Sequence, residues 1–197
     1  MILENQPKAF VIAVKDHPIS ESQLRDCLDS AEKFNWNVEV SWGVNGRTIT
    51  DDIWKQEGLF PRLDKPSMDR PGVQGCFLSH WNLWKKCLEL NEPIIILEHD
   101  ALILKEWSPI EITDSIIKLH RIYSNKKEKI DIDTGQWNKS GHAYCITPNH
   151  ASKLINFSKK HGAIVVDILI GTKVVPVVNL KPSWVERQNL FSTTNNI

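Results

Sequence analysis

The sequence contains no apolar run approaching the ~20 residues that a bilayer-spanning helix requires, which excludes such a span. Its start, Met1-Ile-Leu-Glu-Asn-Gln-Pro-Lys8, lacks the basic opening and long apolar region of a secretory signal, so a cytoplasmic location is expected. An excess of either charge is missing too. Lys plus Arg and Asp plus Glu number 24 each, for a net charge of zero. A chain so balanced has no global field drawing it to nucleic acid or an anionic membrane, although a local basic patch remains compatible with it. Cysteine pairs at metal or redox spacing are also absent. Cys27, Cys76, Cys87 and Cys145 form no C-x-x-C, and three of them fall on or beside apolar stripes. They read as buried free thiols rather than a disulfide or zinc framework. With no repeat, low-complexity tract or linker, residues 1–197 are expected to form a single domain with a substantial core.

What the chain does have is ordinary globular composition, 41% hydrophobic and 24% charged, with eight Trp that are expected mainly in the core or at interfaces. One stretch organises the rest: Pro93-Ile-Ile-Ile-Leu-Glu98-His99-Asp100-Ala-Leu-Ile-Leu104. Its unbroken apolar run predicts a strand buried on both faces, the condition of a central parallel strand. Strand alternation puts Glu98 and Asp100 on one side and His99 on the other. Two like charges buried together need a cation or a set of donors. Two readings remain open at this point: acids at the C-terminal mouth of an α/β sheet, where ligands bind, or a strand that ends in solvated polar residues.

In chain order, Ala9–Val14 reads as a buried strand, and Lys15-Asp16-His17-Pro18 as the loop leaving it. Ser20-Glu-Ser-Gln23 fits a capping box, and Leu24, Cys27, Leu28, Ala31 and Phe34 recur at helical spacing. Val38–Trp42 alternates as a second strand, completing a right-handed β-α-β unit. Residues 48–72 read as an irregular excursion with one short helix near 52–57. Phe77, Trp81, Trp84, Cys87 and Leu88 line one face of a helix running from Gly75, which would place Ser79 and His80 in its first turns, where free amides and the helix dipole favour anions. Ser108-Pro109 reads as the start of another helix carrying Ile112, Ile116, Leu119 and Tyr123, and Lys129–Asp133 as an edge strand. His142–Thr147 is a further strand, with Thr147-Pro148 capping a helix. Asp167 is a lone acid inside the apolar run 164–170 and needs a reason to be there. Val174–Val178 suits an edge strand, and 181–197 a tail wrapping the domain.

Taken together, Gly75-Cys76-x-Leu78-Ser79-His80, the apolar helix, and Ile-Ile-Ile-Leu-Glu98-x-Asp100 resemble the core of glycosyltransferase family 25, which includes lipopolysaccharide-type and collagen galactosyltransferases. Gly141-His-Ala143-Tyr144 through Leu154 resembles its second block, and Val166-Asp167 its late valine/proline-aspartate element. The likeness runs from about Gly72 to Gly171, and the chain's size suits a compact phage- or bacterial-type member. It implies a GT-A fold, a single Rossmann-like, mostly parallel sheet flanked by helices. The implied activity is that of a hexosyl- or pentosyltransferase, moving sugar from a UDP-type nucleotide-sugar to a hydroxyl of a saccharide such as lipopolysaccharide, by an inverting route assisted by Mn²⁺ or Mg²⁺. By the same resemblance, Ser79, His80, Glu98, His99 and Asp100 stand at the donor, Asp100, Glu98 and His142 hold the metal, and Asp167 is the general base. His99 occupies the middle position where the family carries an aspartate, and Gly72-Val-Gln-Gly75 lacks the acid of the family's Gly-Glu-Ile-Gly. Two other functions are compatible. One is transfer to a hydroxymethylated base in phage DNA, with Lys126–Lys129 and other cations along the path. The other is a degenerate relative that binds a nucleotide-sugar without transferring it.

Overall fold

A computed structural model describes residues 2–65, 67–120, 140–171 and 174–188. Among the described residues, ten strands and five helices follow one another: β1 (Ile2–Leu3), β2 (Lys8–Ala13), α1 (Pro18–Lys33), β3 (Val38–Trp42), α2 (Asp51–Gln56), α3 (Pro71–Leu90), β4 (Ile94–Glu98), β5 (Ala101–Ile103), β6 (Ile110–Glu111), β7 (Ile116–Lys118), β8 (Ala143–Ile146), α4 (Pro148–His161), α5 (Val166–Leu169), β9 (Val177–Asn179) and β10 (Val185–Arg187). A 3-10 turn, Gly46–Thr48, lies between β3 and α2. Six strands form the main sheet in the order β3-β2-β4-β8-β7-β9. β3, β2 and β4 run parallel, as do β7 and β9, while β8 is antiparallel to both of its neighbours. Five strands therefore point one way and β8 alone points the other. This is the expected α/β architecture, a mostly parallel sheet flanked by helices. Among the described residues no helix is long and apolar enough to cross a membrane.

The alternation of side chains along each strand divides the core in two. Phe10 and Ile12 of β2 and Ile94 and Ile96 of β4 pack with α3 and α4 on one face. Ala9, Val11, Ala13, Ile95 and Leu97 pack on the other face, with Leu24, Cys27 and Ala31 of α1 and with Trp36 and Trp184. Both faces of β4 are covered, and Ile94 through Leu97 are fully buried, which is why that run carries no polar residue. At its end β4 continues the same alternation, so Glu98 follows Ile94 and Ile96 onto the α3 face.

Two small antiparallel pairs buttress the sheet: β1 with β6, and β5 with β10. The second pair holds the described part of the tail, 181–188, against the domain. All four cysteines are free, and three are buried, as their placement on apolar stripes predicts.

Three local expectations are corrected. His17, not Ser20, caps α1. Its Nδ1 accepts from the Ser20 amide at 3.2 Å with Pro18 in the first turn, while the Ser20 hydroxyl accepts from the Val14 amide. The sequence fits a capping box, but Pro18 opens the helix two residues before it. α3 likewise starts at Pro71, four residues earlier than its apolar stripe suggests. Ser79 and His80 therefore lie mid-helix, where the amides are already used, and the anion argument does not apply to them. The described part of the segment after Pro109 forms β6 and β7 rather than a helix, with Ile110, Ile116 and Ile117 buried in strand pairings and Ile112 buried between them; Tyr123 lies outside the described residues. The apolar run around Asp167, for which the sequence names no element, contains the short helix α5. The edge strand expected at 129–133, the Lys126–Lys129 cluster and residues 189–197 lie outside the described residues.

Candidate active-site cleft

Because β8 is reversed, its N-terminal flank meets the C-terminal ends of β2, β4 and β7 at one edge of the sheet. A cleft opens there, lined by Cys76 of α3, Glu98, His99 and Asp100 after β4, Ser140 and His142 before β8, Val166 and Asp167 of α5, and Arg187 of β10. A second recess, lined by Ile12, Val44, Gly75, Ser79 and His80, adjoins it across Cys76, Glu98 and His99. Close backbone approach shapes the wall between α3 and the 3-10 turn. A Cβ on Gly75 would stand 2.5 Å from the Val44 carbonyl oxygen, and one on Gly46 only 1.8 Å from that of Pro71. Ser79 fastens the same junction, donating to the Gly75 carbonyl at 2.6 Å and accepting from the Val44 amide at 2.9 Å.

Three potential ligand atoms, one each from Glu98, Asp100 and His142, lie within 4.8 Å of one another. These are the three residues that the family resemblance singles out for metal. His142 Nδ1 is 3.0 Å from Asp100 Oδ1 and 3.8 Å from Glu98 Oε2. The Nδ1–Oδ1 approach lacks hydrogen-bond geometry, and both atoms are buried with no hydrogen-bond partner among the described residues. On the other side of the ring, His142 Nε2 faces the Glu186 carbonyl at 3.4 Å. A carbonyl only accepts, so Nε2 carries a proton. A neutral His142 would then point a bare nitrogen lone pair at a carboxylate oxygen. That arrangement is relieved either by a second proton or by a cation between the two atoms. Burial disfavours a charged ring, but Asp100 and Glu98 outweigh it and raise the His142 pKa to about 9. The donor set, two carboxylates and one imidazole nitrogen, fits Mn²⁺ or Mg²⁺.

Burial alone would raise both acids. The imidazoles of His142 and His80 instead hold Glu98 well below the usual carboxylate range, and His142 and Arg187 lower Asp100. Arg187 Nε donates to Asp100 Oδ2 at 2.7 Å. Asp167 behaves oppositely: burial and the neighbouring Glu98 raise its pKa, while one of its oxygens accepts from the Gly141 amide at 2.7 Å. The isolated acid in the apolar run thus has its reason, since it ties α5 to the strand that delivers His142. His120 stands 4.8 Å from His142 ring to ring, and its pKa is lowered to about 4, chiefly by burial and by the neighbouring His142 charge.

A second group, Cys76, His80 and Glu98, also has metal-ligand proximity, but its chemistry does not suit an ion. Tyr144 Oη accepts from Trp84 Nε1 at 2.9 Å and lies 2.9 Å from His80 Nδ1. Burial holds the phenol protonated, and its one proton can only go to His80 Nδ1. The ring's own proton therefore sits on Nε2, 3.5 Å from Glu98 Oε1, where a metal ligand would need a lone pair. Burial also pushes the Cys76 thiol well above its ordinary range, so it is no thiolate.

Of the residues predicted from sequence, Glu98, His99, Asp100, His142 and Asp167 meet in the main cleft, while Ser79 and His80 line the adjoining recess. Strand alternation failed only in detail. Asp100 belongs to the turn after β4, and His99 lies at the wall shared by both spaces. Asp16 and His17, in the loop that leaves β2, line neither space. Sequence reasoning missed Arg187, His120 and Lys118. Lys118 is buried at the end of β7, and desolvation lowers its pKa to about 8 despite the charge of Asp167. No local pattern signals Arg187, whose place is set by the pairing of β10 with β5.

Comparison with known proteins bears on this cleft directly. Residues 70–139 match the model of glycosyltransferase family 25, described as an LPS biosynthesis protein family. A "Glycosyltransferase 25 family member" of Aedes aegypti is 35% identical over 97 residues, covering 46% of this chain and 16% of that protein. Another of the same description, from Anopheles gambiae, is 34% identical over 70 residues, 32% of this chain and 12% of the relative. A rat protein, "Probable inactive glycosyltransferase 25 family member 3", is 28% identical over 104 residues, 48% of this chain and 17% of its own length. The match spans less than a fifth of each of these relatives. The family-model segment takes in α3, Glu98 and Asp100, while His142, Asp167 and Arg187 lie beyond it. Over the helix and the acid-bearing strand that build this cleft, the chain is similar to glycosyltransferase family 25.

Proposed function

We propose that the cleft binds a nucleotide-sugar of UDP type and transfers its sugar to a hydroxyl of a saccharide acceptor, on a GT-A framework. The observation that carries this reading is the convergence of Glu98, Asp100, His142 and Asp167 at one sheet edge, two acids with lowered and one with raised pKa. Groups whose environments push them apart in this way are suited to different tasks in one reaction. Asp167 is the base, taking the acceptor hydroxyl proton as that oxygen bonds to the anomeric carbon. The bond from that carbon to the donor diphosphate breaks with its electron pair going to the departing phosphate oxygen, and the configuration inverts. Asp100, Glu98 and His142 would hold Mn²⁺ or Mg²⁺, which when bound offsets the charge of the diphosphate as a Lewis acid. His80, its proton fixed on Nε2 by Tyr144, keeps Glu98 oriented and anionic.

A panel of nucleotide-sugars with Mn²⁺, scored by thermal shift and by slow donor hydrolysis, tests the reading. One donor should raise the melting temperature in a concentration-dependent way, and Asp100→Asn should abolish the effect. A flat panel refutes it. Asp167→Asn should keep donor binding while losing roughly 10²–10⁴-fold in turnover. The second reading, a nucleotide-sugar binder without transfer, draws on His99 in the middle of the acid motif. It is the outcome if a donor stabilises the protein yet no hydrolysis or transfer follows.

A further inference from the structure

Arg187 stands apart from the other cleft residues. It comes from β10, outside the family-matched segment, and enters through a strand pairing that sets Arg187 opposite Ala101, next to Asp100. Its Nε is committed to Asp100 Oδ2 at 2.7 Å, and that carboxylate is only 5% exposed. The arginine side chain itself is 50% exposed, so the inner edge of the guanidinium is fixed and the outer edge faces the opening. Among the described residues its two terminal nitrogens have no hydrogen-bond partner, leaving four N–H groups in a planar fork on the rim of the cleft. Burying a guanidinium edge against one carboxylate needs only a monodentate contact. The pairing seen here anchors the guanidinium at Nε while sparing the atoms best shaped for a second anion.

Other partners for an anion are few. Three carboxylates, Glu98, Asp100 and Asp167, line the cleft with two imidazoles, His99 and His142, and Arg187 is the one Lys or Arg side chain among the described lining residues. Nothing else among the described lining residues can donate a charge-assisted fork to a ligand, because His142 is turned between Asp100, Glu98 and the Glu186 carbonyl. We infer that Arg187 is the residue of this cleft that binds the diphosphate of the donor, through its terminal Nη groups, with Asp100 fixing its orientation. This rests on the proposed donor reading, and it names which side chain of this chain receives the leaving group.

The test is calorimetric titration of inorganic pyrophosphate and of UDP, with and without Mn²⁺, into the wild-type chain, Arg187→Gln and Arg187→Lys, alongside titration of Mn²⁺ alone. Arg187→Gln should weaken pyrophosphate and UDP by at least tenfold while leaving the affinity for Mn²⁺ alone within about threefold. Arg187→Lys should recover only part of the loss, since it restores charge but not the fork. Unchanged pyrophosphate affinity in Arg187→Gln overturns the inference. So does a loss matched by an equal loss of Mn²⁺ affinity, which would make Arg187 only a brace for Asp100. If the wild type binds pyrophosphate in an Arg187-dependent way but no UDP, the anion site stands and the nucleotide-sugar reading falls. If it binds neither, both fall.

Discussion

Tyr144→Phe removes one oxygen and tests how the cleft is held. In the wild type that oxygen accepts from Trp84 Nε1 and donates to His80 Nδ1, both at 2.9 Å, and all three side chains are fully buried. Phenylalanine fills almost the same space, so the packing term is small. What remains is a buried indole N–H without an acceptor and a buried imidazole nitrogen without a donor. Each such orphan costs about 1–3 kcal/mol, for a total of roughly 2–6 kcal/mol. In a chain of this size 1 kcal/mol corresponds to about 2–4 °C, so the melting temperature should fall by about 4–24 °C. Urea denaturation followed by tryptophan fluorescence gives the free energy, and ¹⁵N NMR of His80 gives the tautomer. The wild type should show the proton on Nε2, and the variant should lose that preference. A variant within about 0.5 kcal/mol of wild type, or a wild-type His80 protonated at Nδ1 alone, would refute the reasoning.

Three further outcomes are expected. Gly75→Ala drives a Cβ to 2.5 Å from the Val44 carbonyl oxygen and 2.9 Å from the Gly46 amide nitrogen, backbone atoms that cannot rotate away; chemical denaturation should show a loss of about 1–3 kcal/mol despite alanine's better helix propensity. Burial would raise the Glu57 pKa, but Lys85 Nζ at 2.7 Å and Trp81 Nε1 at 2.8 Å lower it. Its contribution, about 1–2 kcal/mol, is therefore present above pH ~4.5 and lost as pH falls through the depressed folded value, so stability curves of wild type and Glu57→Gln should converge in acid. His142 has the opposite sign, its pKa being raised from 6.5 to about 9. In metal-free protein its contribution is full below pH 6.5 and fades as pH rises through about 9, a decline of roughly 2–4 kcal/mol that His142→Gln should flatten. Guanidinium melts at pH 6, 8 and 10 in EDTA would check it.

The parts of this protein that sequence made legible are those governed by local periodicity. The run Ile94–Leu97 could only be a strand covered on both faces, and the alternation of β2 placed Phe10 and Ile12 opposite Ala9, Val11 and Ala13. Glu98 and Asp100 were legible as a pair because two acids after such a run require compensation. Their compensators were less legible. His142 entered only through family resemblance, since nothing local says that the flank of a reversed strand meets the end of β4. Arg187 was invisible, because the pairing of three-residue strands β5 and β10 is settled by tertiary packing rather than by pattern. The helix expected after Pro109 failed for a related reason. Its isoleucines fit a period near 3.6, but β-branched residues in short runs satisfy strand pairing equally well, and burial on both sheet faces decides the matter.

The reversed strand also determines where this domain can be cut. β8 lies between β4 and β7, and both of those neighbours fall within residues 70–139 while β8 itself does not. The stretch recognised as the family segment is therefore not a folding unit. Excised at residue 139, it would carry two strands with the gap between them unfilled, each exposing a line of unpaired amides and carbonyls. It would also carry Glu98 and Asp100 without His142 or Arg187, leaving two clustered anions with neither cation. Minimal versions of this protein have to reach at least Arg187, because the residues that make the acids tolerable arrive last.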